Sequence, residues 1–413
     1  MKCRHCGTEV NLPFVDLGSA PPSNAYLTTE GLHAPETWYP LRVLVCTECW
    51  LAQTEDFAGR EELFADDYAY FSSYSSTWLA HAQAFVADMV ERFALDASSL
   101  VAEIAANDGY LLQYVKARGI PCYGVEPTAG AAAAALAKGI EIIECFFGKD
   151  SAQEMATAGR QADLIVANNV LAHVPDINDF IAGFTTLLKS HGVATFEFPH
   201  LLRLVSDNQF DTIYHEHYSY LSFTTVKRIF SENGLTVFDV QELPTHGGSL
   251  RVFTRRANSD KSWVSPTVAE LLQREEHIGM QTPVFYAGFQ PRADRAKNDL
   301  LAFLLEAKRS GKRVVGYGAA AKGNTLLNFA GARPDLIEFV VDRNTAKQDK
   351  YMPGSRIPIV AEKRIREQKP DYVLILPWNI KDEVMRQLWY VSDWGGAFVV
   401  SIPALELIQA DKL

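Results

Sequence analysis

The chain of 413 residues contains no run of 18 consecutive apolar side chains, so no segment has the length of a membrane-spanning helix. Its start, Met1-Lys2-Cys3-Arg4-His5-Cys6, lacks the apolar stretch of a secretory leader. Positive charge is in deficit: 39 Lys and Arg against 50 Asp and Glu leave a net charge of −11 and a pI near 5.4. That excludes the broad basic footprint of a nucleic-acid binder, although a local pocket for a small polyanion is compatible with it. Cysteine is scarce, with six residues, too few for a disulfide-built scaffold of this size. Short internal repeats are absent, and the Ala-rich stretch Ala129–Ala137 is a helix former rather than a low-complexity tail. These absences predict a cytoplasmic globular protein, with no membrane and no nucleic-acid partner, in a compartment that keeps thiols reduced.

Hydrophobic residues at 48% and charged residues at 22% are ordinary for such a protein. The length suggests about three domains. Residues 1–75 hold many prolines and short extended runs such as Tyr39–Val45, a loop-rich region with little core of its own. Residues 76–256 begin with an amphipathic helix over Trp78–Phe93. Strand-like runs follow at Leu100–Ile104, Tyr123–Glu126, Leu164–Ala167 and Val193–Glu197, alternating with helices. After a polar stretch near Ala257–Pro266, residues 257–413 carry helices near Val268–His277 and Arg292–Ser310. A second strand–helix series then runs from Arg313–Tyr317 through Ile337–Val341 and Tyr372–Leu376. Strands alternating with helices predict parallel, doubly wound sheets. The expected class is therefore α/β: an N-terminal zinc-binding segment and two Rossmann-like domains.

Zinc is implied by four of the cysteines, which stand as Cys3-x-x-Cys6 and Cys46-x-x-Cys49. Two such knuckles complete a tetrahedral all-thiolate site, closed to water and so structural. The 39 residues between them must carry structure of their own. A redox pair would follow a strand in a βαβ unit, and neither knuckle does. Cys122 and Cys145 are isolated.

The first Rossmann-like series has Glu103-Ile104-Ala105-Ala106-Asn107-Asp108-Gly109 between strand and helix, and Glu126-Pro127 at the end of the next strand. A tight turn with an acid at the second strand end suits the adenosine part of a cofactor. The loop has one glycine and an Asn-Asp pair where a dinucleotide site would carry G-x-G-x-x-G, which favours a cofactor whose charged end is an amino acid, S-adenosylmethionine. A plain strand-to-helix turn is the alternative. Further on, Tyr214-His215-Glu216-His217 concentrates titratable groups, and Asn168-Asn169-Val170-Leu171-Ala172-His173 follows another strand. A base, a group that sets its tautomer and a hydroxyl for a developing oxyanion are what proton abstraction beside a carbonyl uses.

The second series carries Gly316-Tyr317-Gly318-Ala319-Ala320-Ala321-Lys322, with Asp342 ending the next strand. Its amides and Lys322 could receive a diphosphate. Read alone it resembles an NAD domain, in which Asp342 would take ribose hydroxyls.

Together these motifs resemble the S-adenosylmethionine-dependent nucleotide-sugar C-methyltransferases, above all those of the C-3′ type that act on a dTDP-linked 4-keto sugar in tetronitrose biosynthesis. The likeness extends over nearly the whole chain. It includes both cysteine pairs, Tyr68-Ala69-Tyr70-Phe71-Ser72-Ser73, Asn107-Asp108-Gly109, His173, Tyr214–His217, His246-Gly247-Gly248 and Gly316–Lys322. The resemblance implies zinc on Cys3, Cys6, Cys46 and Cys49. It implies S-adenosylmethionine, released as S-adenosylhomocysteine, on Glu103, Ala105, Asn107, Asp108, Gly109, Glu126, Pro127 and Asn168. It also implies an NDP-4-keto-6-deoxy sugar, most simply dTDP-linked, held by Tyr70, Ser72, His215, His246, Gly318, Lys322, Asp342, Trp378 and Asn379. His217 would be the base, and Tyr214, Glu216, His173 and Tyr68 would orient the sugar or stabilise an enolate formed by loss of the C3 proton. One departure stands out: Ala105 occupies a position where the family has Gly. A monomer or a homodimer is expected. The alternatives are an O- or N-methyltransferase on a similar sugar, an NAD-dependent sugar-nucleotide oxidoreductase, and a non-catalytic zinc-dependent binding module.

Overall fold

Val101–Ile104 is buried at all four positions and Ala162–Asn168 at all but one, as strands covered by helices on both faces must be. In this computed structural model, which describes residues 1–57, 59, 63 and 71–410, they form the centre of a seven-stranded sheet. Its order is Leu235–Leu243, Ser249–Arg256, Leu188–Pro199, Ala162–Asn168, Val101–Ile104, Cys122–Val125, Glu141–Ile143. Ser249–Arg256 runs against both its neighbours, and the remaining adjacent pairs are parallel. Chain order reverses between Val101–Ile104 and Ala162–Asn168, which opens a crevice beyond their carboxyl ends. Ala105–Gly109 and Asn168 emerge there.

The helix Ser76–Phe93 starts where the Ser75 side chain accepts the Trp78 amide, and it buries Ala82, Phe85, Val86 and Met89. That stripe packs on Leu111, Val115 and Val101. The helix after Gly109 is short, Leu112–Lys116, and it begins only after the chain has turned through Asn107 and Gly109 at positive φ.

A second sheet has the order Ile359–Val360, Val340–Val341, Val314–Tyr317, Tyr372–Ile375, Ala397–Val400, Glu406–Gln409, antiparallel only at the last pair. Its reversal point, between Val314–Tyr317 and Tyr372–Ile375, brings Gly318–Lys322 and Pro377–Asn379 to one crevice. The helix Pro266–Ile278 packs on the first sheet through Val268 and Leu271. The helix Phe289–Arg309 buries Ala293, Ala296, Leu300 and Leu304 against the second domain.

The N-terminal segment is richer in structure than its prolines suggest. Leu12–Ala20, Tyr39–Val45, Ala52–Thr54 and Ser219–Tyr220 form an antiparallel four-stranded sheet. Leu12–Ala20 escapes the period-two test because its pairing slips twice, between Pro13 and Val15 and between Asp16 and Ser19. The segment borrows its core. Phe14 stacks on Phe289 at 4.7 Å and lies edge-on to Tyr286 at 5.4 Å. Val15, Leu17, Leu41 and Val43 join one cluster with Leu326 and Leu327, each large side chain contributing about 2 kcal/mol. Its last strand comes from the residues just after the His-Tyr-Glu cluster, so the zinc-binding segment is stitched to that cluster by backbone hydrogen bonds. Among the described residues no helix is long and apolar enough to cross a membrane.

Candidate active site

The two cysteine knuckles meet. Cys3 Sγ lies 3.5 Å from Cys49 Sγ and Cys6 Sγ 3.5 Å from Cys46 Sγ, and all four sulfurs fall within 4.8 Å of one another. Sulfurs around a tetrahedral zinc at 2.3 Å are about 3.8 Å apart, so the cluster fits that ion. Each knuckle turns through a residue at positive φ, Gly7 in one and Trp50 in the other. Amides close each turn: Gly7 N donates to Cys3 O and Trp50 N to Cys46 O. Gln53 Nε2 donates to Cys3 Sγ at 3.3 Å, an outer contact of the kind that fixes a metal-bound thiolate.

At the first crevice the Ala105–Gly109 loop is held from three sides. Asn107 N donates to Glu126 Oε2 at 2.9 Å, and Asn107 Oδ1 accepts from Ser72 N at 2.8 Å. Lys138 Nζ donates to Asp108 Oδ2 and to its carbonyl. Glu126 Oε1 accepts the Thr128 amide, with Pro127 between them. Gly109 has φ +73, and a β-carbon there would sit 2.4 Å from Ile140, so this glycine is obligatory. Ala105 also lies in the left-handed region, at φ 59, which explains the family's glycine: the backbone shape demands it, and an alanine costs about 1 kcal/mol.

What the crevice offers a ligand is acceptors. Asp108 Oδ1, Asn168 Oδ1 and Asn169 Oδ1 are buried without a partner among the described residues, and the Glu103 carboxyl is buried beside Tyr110. Burial pushes the Glu103 carboxyl well above its usual range. Such a lining rejects a pyrophosphate, itself an acceptor, and suits the ammonium, ribose hydroxyls and amino group of S-adenosylmethionine. The aromatic floor beside it is Trp78, stacked at 5.8 Å on Tyr110.

The His-Tyr-Glu cluster follows the short turn Phe210–Thr212. His217 Nδ1 bonds Thr212 O at 3.0 Å. A carbonyl only accepts, so Nδ1 carries the proton and Nε2 presents its lone pair. Tyr214 Oη donates to that Nε2 at 2.7 Å. His173 lies edge-on to His217 at 4.6 Å, and its Nδ1 donates to Glu216 O at 2.8 Å. Burial, helped by His173, His246 and Lys322, keeps His217 well below the usual histidine range, and His173 is lowered to about 4. Both imidazoles are neutral at working pH. Glu216 Oε1 accepts two bonds from Asn24, and burial raises its carboxyl. His215 lies in the turn closed by His217 N on Tyr214 O and points away from the cluster, where Nε2 donates to Pro40 O at 3.2 Å and the ring meets Tyr39 edge-on.

The second crevice closes on this cluster. Lys322 Nζ donates to Asn379 Oδ1 at 2.7 Å and lies 4.7 Å from the Trp378 ring centre. Trp378 Nε1 donates to Asp211 Oδ2 at 2.8 Å. Burial raises Asp211 to about 6 against the pull of Lys322. Gly247, at φ +88, lies so close to Trp378 that a β-carbon would be 2.5 Å from its ring. His246 meets Trp78 edge-on at 5.1 Å and bridges the two crevices. Gly318, at φ +86, abuts Pro377. Asp342 faces its own loop: Oδ2 accepts Ala319 N and Oδ1 accepts Asn344 N, both at 2.8 Å.

The backbone amide of Ser72, a residue expected at the sugar, is tied to the cofactor loop through Asn107 Oδ1. Tyr68 and Tyr70 lie outside the described residues. Three features escaped sequence reasoning. One is Asn24; another is Asp211 under Trp378. The third is a buried network in which Glu197 accepts from Arg251 at 2.8 Å, from Thr245 at 2.9 Å, and bonds His81. Each depends on residues far apart in the chain, and only the Glu197 position at a strand end carried any signal.

Three family profiles match successive parts of the chain: a zinc binding domain over residues 3–64, a methyltransferase domain over 78–240, and a C-methyltransferase C-terminal domain over 244–403. The C-methyltransferase NovU of Streptomyces niveus is 35% identical over 411 residues, covering 100% of this chain and 97% of that protein. Among solved structures, an S-adenosylmethionine-dependent methyltransferase of Clostridium acetobutylicum matches 44% of this chain and 92% of its own, at 11% identity and TM-score 0.36. Magnesium protoporphyrin IX methyltransferase of Synechocystis, solved with S-adenosylhomocysteine, matches 43% and 83%, at 16% identity and TM-score 0.34.

Proposed function

Because this chain belongs to the S-adenosylmethionine-dependent C-methyltransferase family that includes NovU, we propose that it methylates C3 of an NDP-linked 4-keto-6-deoxy sugar through an enolate. The division of labour assigns zinc to residues 1–75, the cofactor to 76–256 and the nucleotide sugar to 257–413.

The observation that carries this reading is the His217 tautomer. With Nδ1–H spent on Thr212 O, Nε2 is a fixed lone pair on a neutral imidazole, next to a phenol hydroxyl. A sugar ketone at C4 makes the C3 proton acidic. When C3–H replaces the Tyr214 hydroxyl at Nε2, the C–H bond breaks, the proton goes to Nε2, and the electron pair moves onto C3, C4 and O4. The displaced Tyr214 hydroxyl then donates to O4, where negative charge gathers. His173 supports His217 from the side, and Glu216 completes the wall of the pocket. S-adenosylmethionine, when bound, supplies an electrophilic methyl carbon. The acceptor-lined crevice holds it, with Trp78 and Tyr110 excluding water.

The diphosphate is assigned to Lys322 and the amides opening helix Ala321–Ala330, and the nucleoside to the surface of Trp378 and Asn379. Thymine is the simplest base for it. The oxidoreductase alternative fares worse, because the profile matched over residues 244–403 is that of a C-methyltransferase C-terminal domain, and Tyr26 and Lys347 already occupy the Ala319 carbonyl of the second glycine loop.

The test is mass spectrometry of products from a panel of NDP-4-keto-6-deoxy sugars with S-adenosylmethionine. A methylated sugar whose new carbon resists mild hydrolysis and correlates to C3 by NMR is expected. Methyl on oxygen or nitrogen, or no product from any panel member, sinks the proposal. In deuterated water, uncommitted enolate should also return with deuterium at C3.

A further inference from the structure

Glu216 sits on the side of the cluster that faces the other two parts of the chain, and its carboxyl is asymmetric. Oε1 accepts two hydrogen bonds, from Asn24 N at 3.1 Å and Asn24 Nδ2 at 3.0 Å. Oε2 is buried and has no partner among the described residues. Asn24 comes from the zinc-binding segment, 192 positions away, and is itself pinned from the C-terminal domain. Asn324 Nδ2 donates to the Ser23 carbonyl beside it. Tyr26 Oη donates to Ala319 O at 2.6 Å, in the glycine loop of the second sheet. Lys347 Nζ donates to the same carbonyl at 2.8 Å and lies 5.1 Å from the Tyr26 ring centre.

We propose that Asn24 is a positioning residue for Glu216, and that Tyr26 sets it from the glycine loop of the C-terminal domain. Two N–H donors on Oε1 decide the roles of the two oxygens. Oε1 can only accept there, so any proton on the carboxyl resides on Oε2. The result is a single O–H donor with a fixed direction, which a ketone or enolate oxygen accepts and a carboxylate would repel. Other ionisable groups facing Glu216 are Tyr220, from the strand that follows it, and Tyr26. Neither carries charge near neutrality, so the carboxyl is biased by N–H donors: its own backbone amide, the amide and side chain of Asn24, and the Ser23 amide, of which the Asn24 side chain is the one a substitution can remove. The arrangement also gives the second Rossmann-like loop work other than cofactor binding: its Ala319 carbonyl is an anchor for the segment that steers a group in the active site. This rests on the C-methyltransferase reading for the identity of the oxygen that Oε2 serves.

The test is a double-mutant cycle on the zinc-loaded full chain. Asn24→Ala should lower kcat about tenfold, with KM for S-adenosylmethionine and the thermal midpoint little changed. In the Glu216→Gln background the same substitution should cost less than twofold. Tyr26→Phe should follow the same pattern with a smaller effect. Equal losses in both backgrounds, or no loss in either, overturn the proposal. Infrared titration supplies a readout without substrate, using the carboxyl band lost in Glu216→Gln. Removing a donor that favours the ionised form should raise the midpoint of that band in Asn24→Ala. An unmoved midpoint overturns the inference even if no sugar is turned over, while turnover of no sugar with a shifted midpoint overturns only the substrate reading.

Discussion

The chain contains the same supersecondary device twice. In each Rossmann-like sheet a glycine loop follows the first strand, a helix begins, and an acid ends the neighbouring strand. In each, that acid accepts a backbone amide of its own loop: Glu126 takes Asn107 N and Asp342 takes Ala319 N. The difference lies in what else meets the loops. Around the first, buried acceptors on Asp108, Asn168 and Asn169 have no partner among the described residues. At the second, Tyr26 and Lys347 already occupy the Ala319 carbonyl. A shared motif therefore predicts backbone geometry, while the hydrogen-bonding groups left unmet decide what each loop can take, and the second loop serves as an anchor in addition to any ligand at its helix end.

The sharpest way to break that contrast is to separate chemistry from cofactor binding. His217→Asn should lower kcat by about 10²–10⁴-fold yet bind S-adenosylmethionine normally by calorimetry. A variant that turns over at the parental rate removes His217 as the base. Next in size is the metal. Cys46→Ser should lose the zinc equivalent measured by atomic emission, and the N-terminal sheet should loosen in hydrogen exchange, because a closed thiolate site contributes directly to folding. Third, Asp342→Asn keeps an oxygen for one backbone amide but sets its NH2 against the other, and should cost about 1–3 kcal/mol of stability without altering S-adenosylmethionine affinity. NAD should give no binding heat to either form.

A smaller effect concerns pH. His173 is held near 4 in the folded protein and ordinarily titrates near 6.5, so between these values the unfolded chain binds more protons. Stability should therefore fall as pH drops from about 6.5 toward 4 and stay level above, as chemical denaturation at stepped pH would show. The smallest expected effect is Ala105→Gly, a gain of about 1 kcal/mol in thermal unfolding, since φ 59 is a glycine conformation. No gain would mean that the Ala105 methyl finds compensating contacts.

Much of this was legible in the residue order. The cysteine pairs named a metal site because four thiolates at that spacing have few other uses. The buried strands and the loops at their ends followed from apolar runs alternating with helices. The Tyr214–His217 cluster was visible because titratable groups are rarely packed so densely without purpose. Other features were not legible. Leu12–Ala20 hid behind two slips of register. His215 shares the motif of His217 yet turns to Pro40 and Tyr39, because the chain makes a turn over Tyr214–His217, closed by His217 N on Tyr214 O, and does not run extended there. Glu197, Arg251 and His81 come from three distant places and form one buried network.

The sequence by itself determined the fold class, the four zinc ligands and the family, because local spacing and strand–helix rhythm are properties of neighbours along the chain. Only the tertiary structure decided which nitrogen of His217 carries the proton, that Asn24 of the zinc segment reaches Glu216, and that Asp342 accepts an amide of its own glycine loop. Those depend on hydrogen bonds between residues up to about two hundred positions apart, and such partners are chosen by packing, not by order in the chain.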